Sequence, residues 1–213
     1  MGLKIWRIVL TFFAVAIAGY AIVQYGFFSP ASAGLVSQKL RQPDFHLTPW
    51  VYVLYAHIVT AVLALVLGPY QLFVKPQGKR IRLHRRLGYV YFISIMVSSI
   101  VGLYLAIYAT GGWVSTLGFL GLDLAWAMST WLSVRYILNK NVQAHKDWMM
   151  RSYALTCAAI TLRLWLGPMA LLFGNFITGY QVTAWLCWVP NLFIMEAVIR
   201  RRAAKRHAPV IGA

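Results

Sequence analysis

The stretch AHKDWMMRSYALTCAAITLRLWLGP, residues 144–168, is apolar enough for a bilayer yet carries His145, Arg151 and Arg163. In so apolar a chain the chemistry falls to few side chains: imidazoles that ligate or move protons, guanidiniums that hold anions, and carboxylates that pair with them. One candidate set is His84 with Arg85, in LHRRLGYVY, and His145 with Arg151, in AHKDWMMRSY. Each histidine opens an apolar run on the same side of the membrane, so two parallel helices would present imidazoles at one level. Imidazole is a common axial ligand of haem iron, and a neighbouring arginine suits a haem propionate. His84 and His145 are therefore candidate ligands of a haem b, their only metal role here, with Arg85 and Arg151 as propionate partners. The alternative is that both histidines are solvated interfacial residues among other positive groups.

A second set is His57, Asp123 and Arg163. At about 1.5 Å per helical residue, all three fall about 12–15 Å below the ends of their helices, in one layer. A charge at that depth costs about 2.5–3.5 kcal/mol even on a lenient insertion scale, so it should face protein and be paired. Asp123 is the one carboxylate available at that level, and an Asp123–Arg163 pair is expected. Such a layer either fixes helix register, with His57 hydrogen-bonded nearby, or forms a polar site for a small anion, a quinone head group, a haem propionate or a proton.

These residues need helices to position them, and the composition supplies only helices of one kind. Of 213 residues, 61% are hydrophobic and 11% charged, which excludes an ordinary soluble domain. A spanning helix needs about 20 mostly apolar residues. Six stretches qualify, at 8–27, 49–74, 87–109, 113–136, 148–173 and 178–199, followed by a basic tail, 200–213. The uncharged run 87–122 is too long for one span and is divided at Thr110-Gly111-Gly112, a turn signal before the interfacial anchor Trp113. The whole chain reads as a single transmembrane domain.

The formal charge of +16 would suggest nucleic acid in a soluble protein, but its distribution argues otherwise. All 20 Lys and Arg except Lys39, Arg41 and Arg163 fall on one side of the six spans. By the positive-inside rule that side is cytoplasmic and holds both termini, the orientation expected of an inner-membrane protein. The tail RRRAAKRH then contacts anionic lipids, and no nucleic-acid partner is expected. Lys4 and Arg7 before an apolar run, with Ala31-Ser32-Ala33 beyond it, also resemble a signal peptide; an uncleaved anchor is the preferred reading. Cys157 and Cys187 lie in different spans without a C-x-x-C partner and read as packing residues. No nucleotide, serine-nucleophile or zincin motif is present, so hydrolytic and nucleotide-driven chemistry has no support.

Helical spacing shows which faces meet protein, since helix contacts in lipid favour small and polar residues. Such stripes run through His57, Thr60, Ala61, Ala64, Gly68 and Gln71; through His84, Gly88, Tyr91, Ser98, Gly102 and Ala106; and through His145, Ser152, Thr156, Ala159, Arg163 and Gly167. With Asp123, Ala127 and Thr130 on the fourth span, they predict an all-α membrane fold with an inner four-helix bundle of spans two to five. The first and last spans lack an equivalent stripe and are expected at the periphery. Glu196 is expected to pair with Arg200 one turn on.

The segments HIVTAVLALVLGPYQL, LHRRLGYVYFISIMVSSIVGLYLA and HKDWMMRSYALTCAAITLRLWLGP, over about residues 50–175, resemble domain-of-unknown-function family 2306 of bacterial multi-pass membrane proteins. His-x-x-Trp-Met-x-Arg-Ser, residues 145–152, is the most specific element of that resemblance. A looser topological likeness links the chain to the six-helix cytochrome b561 class, where ligand histidines pair between helices three and five, as His84 and His145 would. The fourth span has no histidine opposite His57, so that likeness implies one haem or none rather than two. The expected function is b-type haem or quinone-linked electron transfer. The alternatives are a permease or receptor for a small anionic or amphiphilic ligand, and an accessory subunit of a larger membrane complex.

Overall fold

The computed structural model describes residues 2–41 and 45–207. Helix α1 runs Gly2–Gly26, followed by a 3-10 turn, Pro30–Ser32, and the short α2, Gly34–Lys39. Then come α3, Trp50–Phe73; α4, Arg80–Ile107; α5, Trp113–Leu138; α6, Val142–Thr156; α7, Ala158–Leu172; α8, Phe176–Leu186; and α9, Val189–His207. Helices α6 with α7 and α8 with α9 each make one span, so six stretches are long and apolar enough to cross a membrane. The basic tail is helical as far as His207, and residues 208–213 lie outside the described residues.

Local chemistry sets the ends. Gly111 and Gly112 both take positive φ, 92° and 68°, and turn the chain between α4 and α5. The side chains of Asn141 and Asn175 accept amide hydrogens in the first turns of α6 and α8, at 3.0 Å from Ala144 N and 2.7 Å from Ile177 N. Pro190, lacking an N–H, breaks the last span between α8 and α9. The fifth span breaks at Cys157, where Thr156 and Thr161 hydroxyls both bond back to carbonyls one turn earlier, at 2.9 and 3.1 Å.

Helices α3, α4, α5 and α6 close into a ring, each packed on its neighbours and α6 completing the ring against α3. This is the inner bundle of spans two to five, but only half of span five belongs to it. Tyr153 of α6 presses a ring edge against α3 at Gly68, where a Cβ would come within 2.0 Å of the ring. Hydroxyls staple the bundle's centre: Tyr91 reaches Ser152 and Thr156 at 3.0 and 3.2 Å, Thr130 reaches Ser152 at 2.7 Å, and Trp126 Nε1 donates to Thr156 at 2.9 Å.

Beyond Cys157 the chain leaves the ring, and α7 packs chiefly on α8. A Cβ on Gly179 would stand 2.5 Å from the backbone of Ala170, so the two helices meet almost backbone to backbone. Asn191 Nδ2 ties both breaks together, lying 3.3 Å from Ala154 O, 3.0 Å from Thr161 Oγ1 and 2.9 Å from Cys187 O. Spans one and six lie outside the ring, as expected, but the expectation that they lack a small-residue stripe is corrected. The last span is buried along Gly179, Thr183 and Cys187, and α1 along Ala14, Ala18 and Ala21.

Candidate functional site

Because α7 tilts away with α8, the half of the bundle remote from the basic face is left with a cavity of about 270 Å³. Its wall carries Lys39, His57, Asp123 and Arg163 among mostly apolar and aromatic neighbours.

His57 is held by α4: its Nδ1 lies 3.1 Å from both the carbonyl oxygen and the hydroxyl of Ser98. A carbonyl only accepts, so Nδ1 carries the proton and Nε2 keeps its lone pair. Asp123 is 6% exposed. Its carboxylate fits because residue 102 is glycine, where a Cβ would stand 2.7 Å from either oxygen. Of the four acidic residues, Asp147 and Glu196 have arginine partners and Asp44 lies outside the described residues. Asp123 has no ion-pair or hydrogen-bond partner among the described residues. The expected Asp123–Arg163 pair is accordingly corrected: the two share a cavity without touching. Arg163 Nη1 instead donates to Ala159 O at 2.7 Å, one turn back, and its guanidinium lies 5.6 Å from the centre of the Tyr20 ring.

Sequence reasoning passed over Lys39. It sits at the end of α2, only 5% exposed, and donates to the carbonyl of Tyr108, the residue that ends α4. The Phe45 and Trp50 rings lie 5.2 and 5.5 Å from its ammonium. Burial pushes its pKa down from 10.5 to about 8. The available signal was its departure from the charge split, which it shares only with Arg41 and Arg163. The alanine stripe of α1, which lines the cavity through Ala21, was legible at four- and three-residue spacing.

At the basic face the first candidate set is brought together in part: His84 and His145 lie near enough for the charge of one to act on the other, whereas the two arginines are turned elsewhere. His145 repeats the His57 device: its Nδ1 lies 2.9 Å from both the carbonyl oxygen and the hydroxyl of Ser133 on α5, leaving Nε2 free. His84 is on the second turn of α4, its carbonyl bonded to Gln71 at 3.2 Å and its Nδ1 buried without a partner. His145 thus keeps a nitrogen able to bind iron while its other nitrogen is anchored, the usual state of a ligand histidine, whereas no hydrogen bond anchors the ring of His84 among the described residues. The expected propionate partners fit less well. Arg85 is exposed. Arg151 is committed to Glu196, at 3.0 Å through Nε and 2.6 Å through Nη2, and stacks on Trp148 at 4.6 Å. Glu196 does meet Arg200, at 3.3 Å, but Arg151 is its closer partner. Among the described residues no group of three or more His, Cys, Asp or Glu could hold a metal ion.

Residues 54–199 match the family described as predicted membrane protein (DUF2306). That is more than half of the chain, and the chain belongs to this family. No curated protein and no solved structure matches it.

Proposed function

We propose that this DUF2306 protein binds a small amphiphile with a quinone-class head group in the cavity between α1, α3, α4, α5 and α7. The carrying observation is the Asp123 carboxylate, buried in the cavity wall and unpartnered among the described residues. An ionisable group at such depth is retained for a ligand more readily than for packing, since packing alone would give it a partner. The site offers acceptors in Asp123 and His57 Nε2 and donors in Arg163 and Lys39. A ring with opposed oxygens uses both: its carbonyls accept from the cations when oxidised, and its hydroxyls donate to Asp123 or His57 when reduced. Trp50, Phe119, Trp126 and Tyr180 supply flat surfaces for the ring. A volume of about 270 Å³ accepts a head group and not a whole lipid.

In this reading the basic face is cytoplasmic, contacts anionic lipids, and belongs to a bacterial inner membrane. The protein serves as a quinone-linked component, as a receptor or permease for that amphiphile, or as the quinone-holding subunit of a larger complex. Titration calorimetry of detergent-purified protein with a short-tailed benzoquinone and its hydroquinone tests the proposal. Binding is expected, weakened about tenfold or more by Asp123→Asn for the hydroquinone and by Arg163→Gln for the quinone. Absence of heat with both forms in folded wild type would overturn it.

A second reading, haem b at His84 and His145, is favoured by the buried, partnerless Nδ1 of His84. When bound, haem would supply one-electron chemistry. The protein's own part would be to hold the iron through two imidazole nitrogens, one of them fixed by Ser133. A reduced-minus-oxidised spectrum of protein expressed with ample haem decides this. Sharp alpha and beta bands lost in both His84→Ala and His145→Ala support it, and a flat spectrum removes it.

A further inference from the structure

The cavity's closed and open sides indicate where its occupant comes from. Toward the face opposite the basic one, it is roofed by a small core of its own. Ala33, Val36 and Trp50 are buried there, Phe45 packs edge-on against Trp50 at 5.2 Å, and Lys39 clamps the roof to the end of α4 through the Tyr108 carbonyl. Toward the basic face, the floor is the stapled bundle around Leu65, Trp126 and Thr156, all buried.

The side between α1 and α7 differs. There Ile17 and Ala21 of α1 and Leu162 and Arg163 of α7 line the wall, beside the seam where the two helices meet. Arg163 belongs to the cavity wall and is also exposed, with its guanidinium over Tyr20, a ring 47% exposed that is not part of the wall. One side chain on both surfaces marks the place where the cavity reaches the outside of the helix bundle. That outside, about 9–14 Å in from the ends of α1 and α7, is bilayer. A guanidinium is costly there, and the face of Tyr20 offsets only part of the cost.

We infer that the cavity is loaded sideways from the bilayer, through the seam between α1 and α7, by a membrane-resident molecule whose long apolar tail stays in lipid while its head group passes Arg163. This rests on the reading of the cavity as a quinone-class site. Tyr20 is the movable part of the entrance, since its ring covers the guanidinium that the head group must reach. The packed roof makes passage from the aqueous side the more demanding route.

The test uses the full chain in nanodiscs of zwitterionic phospholipid and two probes with one benzoquinone head, the first without a tail, the second with an isoprenoid tail carrying a photoreactive diazirine. Binding of the tail-less probe is measured by calorimetry. The tailed probe is then illuminated and its adducts mapped by mass spectrometry. The expected result is labelling of α1 and α7 around Tyr20 and Leu164, abolished by excess tail-less quinone. Labelling of the roof around Val36 and Trp50 would overturn lateral entry. So would binding of the tail-less head with no competable labelling by the tailed one. If neither probe binds, the site reading itself fails and takes this inference with it, an outcome distinct from the other two.

Discussion

The two halves of the helix bundle treat their acidic side chains in opposite ways. Toward the basic face and through the centre, Tyr91, Trp126, Thr130, Ser152 and Thr156 bond one another, and Arg151 closes on Glu196. In the remote half, Asp123 faces open space and Arg163 reaches no carboxylate. The same small and polar stripe of span five runs through both halves, so residue type alone does not make the difference. What differs is whether a helix stands close enough to complete the bonds. Polar groups in lipid contribute about 0.6–2 kcal/mol when bonded across helices, and they become available for a ligand when the neighbouring helix moves away.

The contrast can be broken most severely at Gly68. Gly68→Leu drives a side chain into Tyr153, separates α3 from α6, and is expected to cost about 3 kcal/mol, read as a lowered midpoint in detergent thermal unfolding. Next is Tyr91→Phe, which deletes the hydroxyl shared by Ser152 and Thr156 and should cost about 1–2 kcal/mol while leaving quinone binding unchanged.

A smaller effect belongs to Lys39. Its folded pKa of about 8 lies below the ordinary 10.5, so burial disfavours the ammonium. Between these values the unfolded segment holds more protons than the folded one, and stability rises with pH across that window. Below about pH 8 both states are protonated and the penalty is constant. Lys39→Met should remove the rise, measured as the difference in melting temperature between variant and wild type from neutral to alkaline pH. The smallest effect on stability is expected at Asp123. Asp123→Asn removes no protein contact and should change unfolding by about 0.5 kcal/mol or less, with the loss confined to binding. A large destabilisation there would turn the remote half into a second structural network and remove the contrast.

Most of the architecture was legible in the chain. Six apolar runs and the small-polar stripes of spans two to five gave the spans and the inner ring, because both follow from periodicity and bilayer thickness. The break at Cys157 was not legible, since it arises from two threonines bonding backward and from α8 drawing α7 aside, and no proline or glycine marks it. Depth placed His57, Asp123 and Arg163 in one layer, but depth carries no azimuth, and the expected ion pair presumed that α7 continues the line of α6. The Arg151–Glu196 contact was missed for a related reason: neighbour spacing along one helix favoured Arg200, whereas packing of α6 on α9 decided it.

The interruption at Cys157 also orders the protein's biogenesis. A chain is made from its N-terminus, and its units fold in that order. The ring residues of α3 to α6 all precede Arg163 and Tyr180 in the chain. Helix α6 is only half a span and enters the bilayer together with α7, so the ring and the Arg163 wall arrive in one step. Tyr180 on α8 comes later, so the pocket is closed only when the last span docks.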